Sequence, residues 1–342
     1  MSEQNMSERN FDTRQLQPAP MQFCAWRWRA AAVALLMPLC AAHSFAAEPA
    51  ERPYNPPVGS RWIIESETSA EQMRPDGPRT SLIKSHAELT IDAKTADGFR
   101  VSYVNRGTTA EGNDPSLPLL RSAVKALENV TVRATTDASG KPLRVDNLDE
   151  AKVAMRTMKD GLLEPFKDKP QLVAVLNQMM SHLIEVDADQ AASAYVEELP
   201  LLAKAQGTGM NLGDVRRSSK TADNPLGGSR LKSNAAFELT SADAVTGKLT
   251  FVNTTSYDDE SMKDFIQSFA EKVFTAAGDR AKSGQIDRLI ASMKLSLDER
   301  TVFEVEDGMT RRISEKSVTL ASAMGHTQSK TETRTITVTL AP

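Results

Sequence analysis

Histidine is the side chain best suited to acid–base and metal chemistry near neutral pH, and the chain contains four. One of them, His43, lies in the N-terminal segment considered below, which leaves His86, His182 and His326. None of these three has another histidine within one helical turn, so the i, i+4 pair that binds zinc on a helix is missing. The sequence therefore predicts no metal site and no bound cofactor, and these histidines are expected to be structural or solvent-facing.

Two Ser-x-x-Lys tetrads, which start at Ser81 and Ser122, have the spacing that brings a lysine amine beside a serine hydroxyl on a helix. The Ser-Asp-Asn and Lys-Thr-Gly elements of penicillin-recognising enzymes are missing, and so is a Gly-x-Ser-x-Gly elbow. We therefore expect Ser122 to be a surface serine near a helix. The remaining enzymatic alternative is a hydrolase of envelope polymers or esters with dispersed residues, for instance His86 or His326 with Asp307.

Two further segments that could hold ligands have simpler explanations. The glycine-rich run 207–213 has one residue too many for the fingerprint Gly-x-Gly-x-x-Gly, and it follows a predicted helix where that motif requires a strand. It is predicted to be a helix C-cap and loop. Asp187 and Asp189 lack the third ligand and the glycine of a calcium loop, so they are predicted to cap a helix.

Methionines are the one unusual feature of the predicted helices. Met155, Met158, Met179 and Met180 fall at or near apolar positions of two helical segments. Because thioether side chains adapt to varied apolar surfaces, these four are the candidate ligand-binding residues, for acyl chains or for the hydrophobic segment of a partner. The alternative is that they fill an ordinary core.

Residues 1–46 are predicted to be a secretory signal peptide. Arg27 and Arg29 supply a basic start, 30–42 is uncharged and apolar, and Ser44-Phe45-Ala46 places small residues at the positions that signal peptidase reads. The apolar run is shorter than the roughly 20 residues that span a bilayer, so an uncleaved anchor is the weaker alternative. We therefore expect cleavage after Ala46 and a periplasmic protein, with Met21 as an alternative start of translation.

Cys24 and Cys40 are the only cysteines, and both precede the cleavage site. The exported protein should therefore contain no disulfide and no cysteine nucleophile. Leu39 before Cys40 disfavours a bacterial lipid anchor, because that signal requires a small residue there.

The charge and hydropathy of the chain exclude two further classes of protein. The net charge is −4, and removal of 1–46 leaves 37 basic and 42 acidic residues, or −5. No basic block remains that would neutralise phosphates, so nucleic acid is not an expected partner. A mean hydropathy of −0.37 excludes a protein with several membrane-spanning helices.

The first half of the exported chain, 61–206, follows a proline-rich lead-in over 47–60. Alternation of apolar and polar residues predicts a hairpin over 86–105 and a second hairpin that ends near Val145. Helices follow, beginning after a cap at Asp146 or Asn147 and kinked near Pro200.

The second half, 231–342, is separated from the first by a predicted linker loop over 207–230 that is rich in glycine, serine and asparagine. Its strands flank two predicted helices, over 258–277 and 285–293. The order of elements therefore resembles that of the first half.

Short motifs also recur in the two halves. Glu88-Leu89-Thr90 precedes a glycine and then Val104-Asn105, as Glu238-Leu239-Thr240 precedes a glycine and then Val252-Asn253. Thr131-Val132 precedes Asp137 by the spacing at which Thr301-Val302 precedes Asp307. An internal duplication would explain these matches, and chance agreement between hairpins is the alternative.

Clean alternation in the strands indicates antiparallel sheets with one apolar and one polar face. We therefore predict an α+β fold in which hairpins form the sheets and helices pack on one face, with two related lobes if the halves are duplicated. An export signal, an exported region without cysteine, paired hairpins and helices on one face together resemble, in architecture alone, the periplasmic half-barrel carriers of lipoproteins and lipids. They also resemble other exported bacterial proteins.

The function that fits these features is non-enzymatic binding in a cleft between sheet and helices. The expected partner is a lipid, another hydrophobic ligand or an envelope protein, and no membrane span is expected after cleavage. The alternatives are the hydrolase with dispersed residues and a structural scaffold of the cell envelope.

Overall fold

Within the described residues, eleven strands pair into one antiparallel sheet. The computed structural model describes residues 52–74, 77–222, 230–276, 294–323 and 326–342. The strands are β1 (Arg61–Arg74), β2 (Gly77–Lys94), β3 (Gly98–Gly112), β4 (Thr131–Asp137), β5 (Pro142–Val145), β6 (Val215–Ala222), β7 (Leu231–Ala242), β8 (Leu249–Tyr257), β9 (Lys294–Glu306), β10 (Met309–Ala323) and β11 (His326–Leu340). The helices are α1 (Leu117–Lys125), α2 (Leu148–Leu163), α3 (Pro170–Ile184), α4 (Ala188–Tyr195), α5 (Glu198–Ala203) and α6 (Asp259–Ala276), with a short 3-10 turn over Glu164–Phe166.

Neighbouring strands in the sheet are neighbours in the chain, with one exception. The order is β5-β4-β3-β2-β1-β11-β10-β9-β8-β7-β6. The chain thus starts in the middle, runs to one edge, crosses to the other edge through α2 to α5, and returns to the middle. The exception is the pairing of the first and last strands, in which Trp62 lies opposite Leu340. The helical crossing therefore connects the two edge strands.

One face of the sheet, the inner face, packs against helices. On β1 the buried residues Trp62, Ile64 and Ser66 alternate with more exposed ones, and Ile64 lies opposite Ala87 and Val338 on the adjacent strands. Helices α4 and α5 cover this part of the sheet with Ala191, Ala192, Val196, Leu199 and Leu202. The main core lies in the half of each strand nearest to residues 61 and 340, which we call the base. The upper half of the strands extends past this core.

The prediction of antiparallel strands with one packed face is confirmed, but the α+β class with two lobes is wrong. The chain forms one large sheet with few helices and is closer to a mainly-β protein. Both halves contribute strands to the same sheet, joined by β1 and β11. The upper halves of the strands alternate too weakly to be recognised, because polar residues occupy both faces, as in 326–334. Strand β6 lies inside the segment that was predicted to be a loop.

Helices α2 and α6 begin close to the predicted positions, but the cap of α2 and the kink near Pro200 differ from the prediction. Asn147 precedes α2 as predicted, but its side chain accepts a hydrogen bond from the Arg133 amide and donates one to the Thr131 carbonyl, 2.8 Å each. The chain breaks between α4 and α5, ahead of Pro200, which lies in the first turn of α5 where proline is tolerated. Helix α6 matches the predicted helix over 258–277, and the one over 285–293 lies outside the described residues.

The proline-rich lead-in is packed across the base of the core. The ring of Tyr54 is buried and meets the ring of Phe99 edge-on, with centroids 5.3 Å apart. Gly308, at the turn between β9 and β10, has a φ of +76°, and a Cβ there would lie 2.5 Å from the carbonyl oxygens of Arg52 and Pro53. Glycine at this turn therefore allows the lead-in to cross it.

The recurring motifs agree with the structure in part. Leu89 and Leu239 are both buried on the inner face of a hairpin. Asn105 and Asn253 each donate a side-chain hydrogen bond to a nearby threonine hydroxyl, 3.2 and 3.1 Å. The third match fails, because Val132 is buried on the inner face whereas the residue buried at the corresponding point of β9 is Thr301. The duplication itself stays a prediction.

Candidate functional site

Ionisable side chains cross the inner face of the sheet at the upper border of the main core, to which Tyr103 itself belongs. We call this set the polar band: Tyr103 of β3, Glu198 of α5, Glu299 of β9, Glu315 of β10 and Arg334 of β11. The four strand residues lie in the same alternation as buried apolar residues nearer the base, such as Ile336 beside Arg334. The chain therefore places charge where the pattern would otherwise place a core residue.

Arg334 is the centre of the polar band. Its side chain is only 16% exposed, and its Nη atoms pair with Glu197 Oε1 at 2.6 Å and Glu198 Oε1 at 3.1 Å. Its Nε donates to the Ser66 hydroxyl at 3.2 Å. Burial alone would favour the neutral form, but Glu197 and Glu198 outweigh it and raise the pKa of Arg334. The guanidinium is therefore a fixed, buried positive charge.

Tyr103 and Glu198 extend the band toward β3. The Tyr103 hydroxyl donates to Glu198 Oε2 at 2.7 Å, and the Glu198 side chain is 11% exposed. Burial, together with the Glu198 carboxylate, raises the pKa of Tyr103 well above its usual value. Tyr103 therefore remains a hydrogen-bond donor across the physiological pH range.

Glu315 and Glu299 make the opposite end of the band acidic. Burial raises the pKa of Glu315, with Arg334 opposing and Glu299 reinforcing the shift. The Tyr257 hydroxyl donates to Glu299 Oε1 at 3.1 Å, and burial with this carboxylate raises the pKa of Tyr257 to about 12. A cavity of about 180 Å³ opens at this level of the sheet. Its inner-face lining consists of Glu299, Thr301, Glu315, Ser317, Glu332 and Arg334.

Above the polar band the helices form an arch over the sheet. Helix α1 packs on β3, α2 packs between α1 and α3, α3 reaches α6, and α6 packs on β7 and β9. Neither α2 nor α3 makes an extensive contact with the described residues of the central strands β1, β2, β10 and β11. The arch therefore rests on the two flanks of the sheet and leaves the upper half of the central strands uncovered by a packed core.

The floor beneath the arch is polar. Ala70 of β1 and Ser81 of β2 lie opposite each other on the inner face, and Ser317 of β10 lies opposite Glu332 of β11. All four are partly exposed, neither packed into a core nor fully open to solvent. Ile83 adds an apolar side chain to the same face.

Three of the four candidate methionines lie in an apolar cluster of the arch. Met155 and Met158 of α2 are buried with Ile184 of α3, and Met180 packs against them. Met179 lies on α3, but its side chain is not among those described. The cluster is separate from the main core, with Tyr195 in contact with both. None of the cavities described here is lined by these methionines, so their role in ligand binding stays a prediction.

The structure does not bring the histidines together with Asp307. His326 begins β11 and Asp307 lies in the turn before β10, at opposite ends of a 15-residue strand, roughly 50 Å apart. His86 lies on the outer face of β2, in the same row of paired residues as Thr337 of β11. Thr337 and His326 are eleven residues apart on that strand, or roughly 35 Å. His182 is on α3, and its side chain is not described. Asp307 instead pairs with Arg52.

The other sequence candidates are accounted for locally. Ser81 and Lys84 are an odd number of residues apart on one strand, so they point to opposite faces of the sheet. Ser122 lies on α1, and its side chain is outside the described set. Asp187 caps α4 as predicted, accepting hydrogen bonds from the amides of Asp189 and Gln190 at 3.1 and 2.8 Å. The run 207–213 follows α5 as a loop with positive φ at its three glycines.

Alternation alone could have revealed the polar band, because Arg334 is in phase with Ile336 and Val338. Glu315 is likewise in phase with Ile313, and Glu299 with Phe303. The pairing of Arg334 with Glu198, more than 100 positions away, left no signal in the sequence. No helix in the described part of the chain is long and apolar enough to cross a membrane. The same residues contain no group of three histidine, cysteine or acidic side chains arranged to hold a metal ion.

Comparisons with known proteins give weak structural likenesses only. No family of protein domains and no curated protein matches the sequence. Lipovitellin, solved with its lipid–protein interactions, is similar with a TM-score of 0.41 and 9% identity over 84% of this chain and 26% of that one, so the chain spans about a quarter of lipovitellin. DynF from dynemicin biosynthesis in Micromonospora chersina has a TM-score of 0.19 and 8% identity, over 85% of this chain and 85% of that one. An outer membrane channel from Pseudomonas putida F1 has a TM-score of 0.17 and 7% identity, over 83% of this chain and 97% of that one. These scores are too low to assign a function.

Proposed function

We propose that the chain is an exported, non-enzymatic binding protein that holds an amphipathic ligand between the arch of helices and the inner face of the sheet. One observation carries the proposal: among the described residues, the apolar cluster of α2 and α3 includes no side chain of the central strands, whose inner-face residues at this level are partly exposed. A sheet with an apolar face normally buries it directly against the next layer. Here the upper half of the sheet has polar, partly exposed residues beneath the arch instead, which is the arrangement of a ligand site rather than of a core.

The chemistry of the two walls selects the ligand class. The arch contributes the cluster of Met155, Met158 and Met180, whose flexible side chains suit acyl chains. The floor contributes hydroxyls and, at the polar band, fixed charges such as Arg334. A molecule with an apolar part and a polar head matches both walls, whereas a purely apolar molecule would leave the polar groups desolvated without partners.

The hydrolase alternative loses its support in the described residues. The histidines that would act as bases lie tens of ångströms from each other and from Asp307, beyond the reach of any shared substrate atom. The ionisable residues that do meet, in the polar band, already pair with one another. Binding is therefore the function that the geometry favours.

Export remains part of the proposal. It rests on the basic start, the apolar run and the small residues that end at Ala46. The lead-in that follows this position packs at the base of the sheet through Tyr54, so cleavage after Ala46 would leave the folded chain intact. N-terminal sequencing of protein from the periplasmic fraction should begin at Ala47, and recovery of the uncleaved chain from the cytosol would contradict export.

The ligand site can be tested by filling it. Ala70 lies on the inner face beneath the arch and Ser69 is its neighbour on the outer face. The purified chain should bind 11-(dansylamino)undecanoic acid with a blue-shifted emission, and Ala70→Phe should reduce the affinity about tenfold by occupying the space of the acyl chain. The matched control Ser69→Phe adds the same ring to the solvent face and should bind as the wild type does.

A second pair of variants tests the arch. Met158 is buried toward α3, whereas Val153 on the same helix is 59% exposed. Met158→Ala should lower the affinity for the dansyl probe more than Val153→Ala does. Equal binding by all four variants, or no binding by the wild type, would refute the amphipathic ligand and leave a scaffold that binds an envelope protein.

A further inference from the structure

A groove on the outer face, on the opposite side of the sheet from the proposed ligand space, has its own chemistry. It has a volume of about 680 Å³ and crosses strands β6 to β10. One row of directly paired residues forms its middle: Lys316, Arg300, Thr254, Ala236 and Arg217, in order from β10 to β6. Small side chains thus occupy the floor between two cationic walls.

The cations of this row have no counterions within the described part of the chain. Lys316 and Arg300 lie directly opposite each other on adjacent strands, which brings their Cβ atoms about 5 Å apart. Like charges in such a pair destabilise a sheet. Neither they nor Arg217 form an ion pair or a side-chain hydrogen bond with a described residue. Asp298, the one acidic side chain that reaches the groove from this face, lies in the next row opposite Val318 and pairs with none of them.

These positions contrast with the rest of the molecule. The whole chain is acidic, with a net charge of −4. Where cations on other exposed strands lie near an acidic neighbour they pair with it, as Arg133 does with Glu150 at 2.9 Å, whereas Lys316 and Arg300 lie opposite each other. An uncompensated pair of cations in a groove of an acidic protein costs folding free energy and therefore indicates a ligand that supplies the missing negative charge.

We infer that this groove binds a ligand that carries a phosphate group. A guanidinium beside an ammonium matches a tetrahedral oxyanion, the first through paired N–H donors and the second through a point charge. The next row adds hydroxyl and amide groups from Ser256, Asn234 and Ser219, which suit a hydroxyl-bearing body next to the phosphate. Arg217 lies about 14 Å from Arg300 across three strand spacings, so it meets the far end of such a ligand.

The test uses a soluble probe and a membrane probe that share the phosphate chemistry. Calorimetry with inorganic pyrophosphate measures the soluble arm. Cosedimentation with vesicles of phosphatidylcholine containing one quarter phosphatidylglycerol, against pure phosphatidylcholine, measures the lipid arm. Binding of pyrophosphate alone assigns a soluble phosphate ligand, and binding that requires phosphatidylglycerol assigns a lipid head group.

A matched pair of double variants decides whether the groove is responsible. Arg300→Gln with Lys316→Gln should reduce binding at least about tenfold, since two charge-assisted contacts are lost. Arg312→Gln with Lys232→Gln removes the same charge from exposed outer-face positions that do not line the groove, and it should bind as the wild type does. The groove variant should also melt no lower than the wild type, because a repulsion is removed.

Equal losses in the two double variants would show a general surface-charge effect and overturn the site. Absence of wild-type binding to both probes would overturn it as well. A lowered melting temperature of the groove variant would show that the two cations serve folding rather than a ligand. None of these results depends on whether the space beneath the arch is occupied.

Discussion

Replacing Arg334 with glutamine should destabilise the fold by about 3 kcal/mol, because the change leaves a buried carboxylate without its cationic partner and with only the Tyr103 hydroxyl still donating to it. The relevant carboxylate is Glu198, whose side chain is 11% exposed, rather than Glu197, whose side chain is 69% exposed and can be hydrated. Removal of one member of a fully buried ion pair costs roughly 3 to 5 kcal/mol, and the partial exposure of this pair places the expected value at the lower end.

Urea unfolding followed by tryptophan fluorescence measures this loss. Trp62 is the one tryptophan beyond residue 46, and it is buried in the main core. A double-mutant cycle with Glu198→Gln isolates the pair, and its coupling energy should be about 2 kcal/mol. Arg133→Gln is the control, since Arg133 and Glu150 pair with side chains 53% and 68% exposed, and it should cost much less stability than Arg334→Gln does.

Two outcomes would refute this reasoning. A loss below about 1 kcal/mol for Arg334→Gln would show that Glu198 is hydrated or protonated at no cost. Additive effects of Arg334→Gln and Glu198→Gln would show that the two side chains do not interact in solution.

Two further predictions concern pH and the base of the sheet. Because burial raises the folded-state pKa of Glu315, its contribution to stability is complete below the unfolded pKa of about 4.5 and is lost as pH rises through the higher folded value. Glu315→Gln, which stays neutral, should therefore gain stability relative to the wild type between pH 4 and pH 7 in urea titrations, and a constant difference would contradict the raised pKa. Gly308→Ala should destabilise roughly 1 to 3 kcal/mol more than Gly247→Ala, because both have positive φ but only Gly308 faces the lead-in carbonyls. Equal melting temperatures would show that the lead-in is not packed there.

The sequence predicted the hairpins because their base halves alternate, as Leu89 and Ile91 do between polar neighbours. It failed for the upper halves, where 326–334 has polar residues on both faces and no period to detect. The two-lobe prediction failed for a different reason. Pairing of β1 with β11 joins residues more than 250 positions apart, and local patterns carry no information about such contacts.

The sequence predicted less of the candidate site than of the fold. Met155 and Met158 were recognised from their helical spacing, and the structure confirms that they lie on the helical layer, in a packed cluster. The arch depends on the docking of α1 and α6 to opposite flanks of the sheet, which is a property of the whole fold. The outer groove arises from the register that aligns Lys316 with Arg300 and Thr254, and no single strand contains that pattern.

Methyl NMR with a lysophosphatidylcholine that carries a nitroxide on its acyl chain would test the proposed ligand space most directly. Adjacent residues on β2 supply the comparison, since Ile83 lies on the inner face and Leu82 on the outer face. The account predicts stronger paramagnetic broadening of the Ile83, Ala70 and Met158 methyls than of the Leu82 and Val153 methyls, which point away from the proposed ligand space. Broadening of the outer-face methyls alone, or of none, would contradict a ligand beneath the arch.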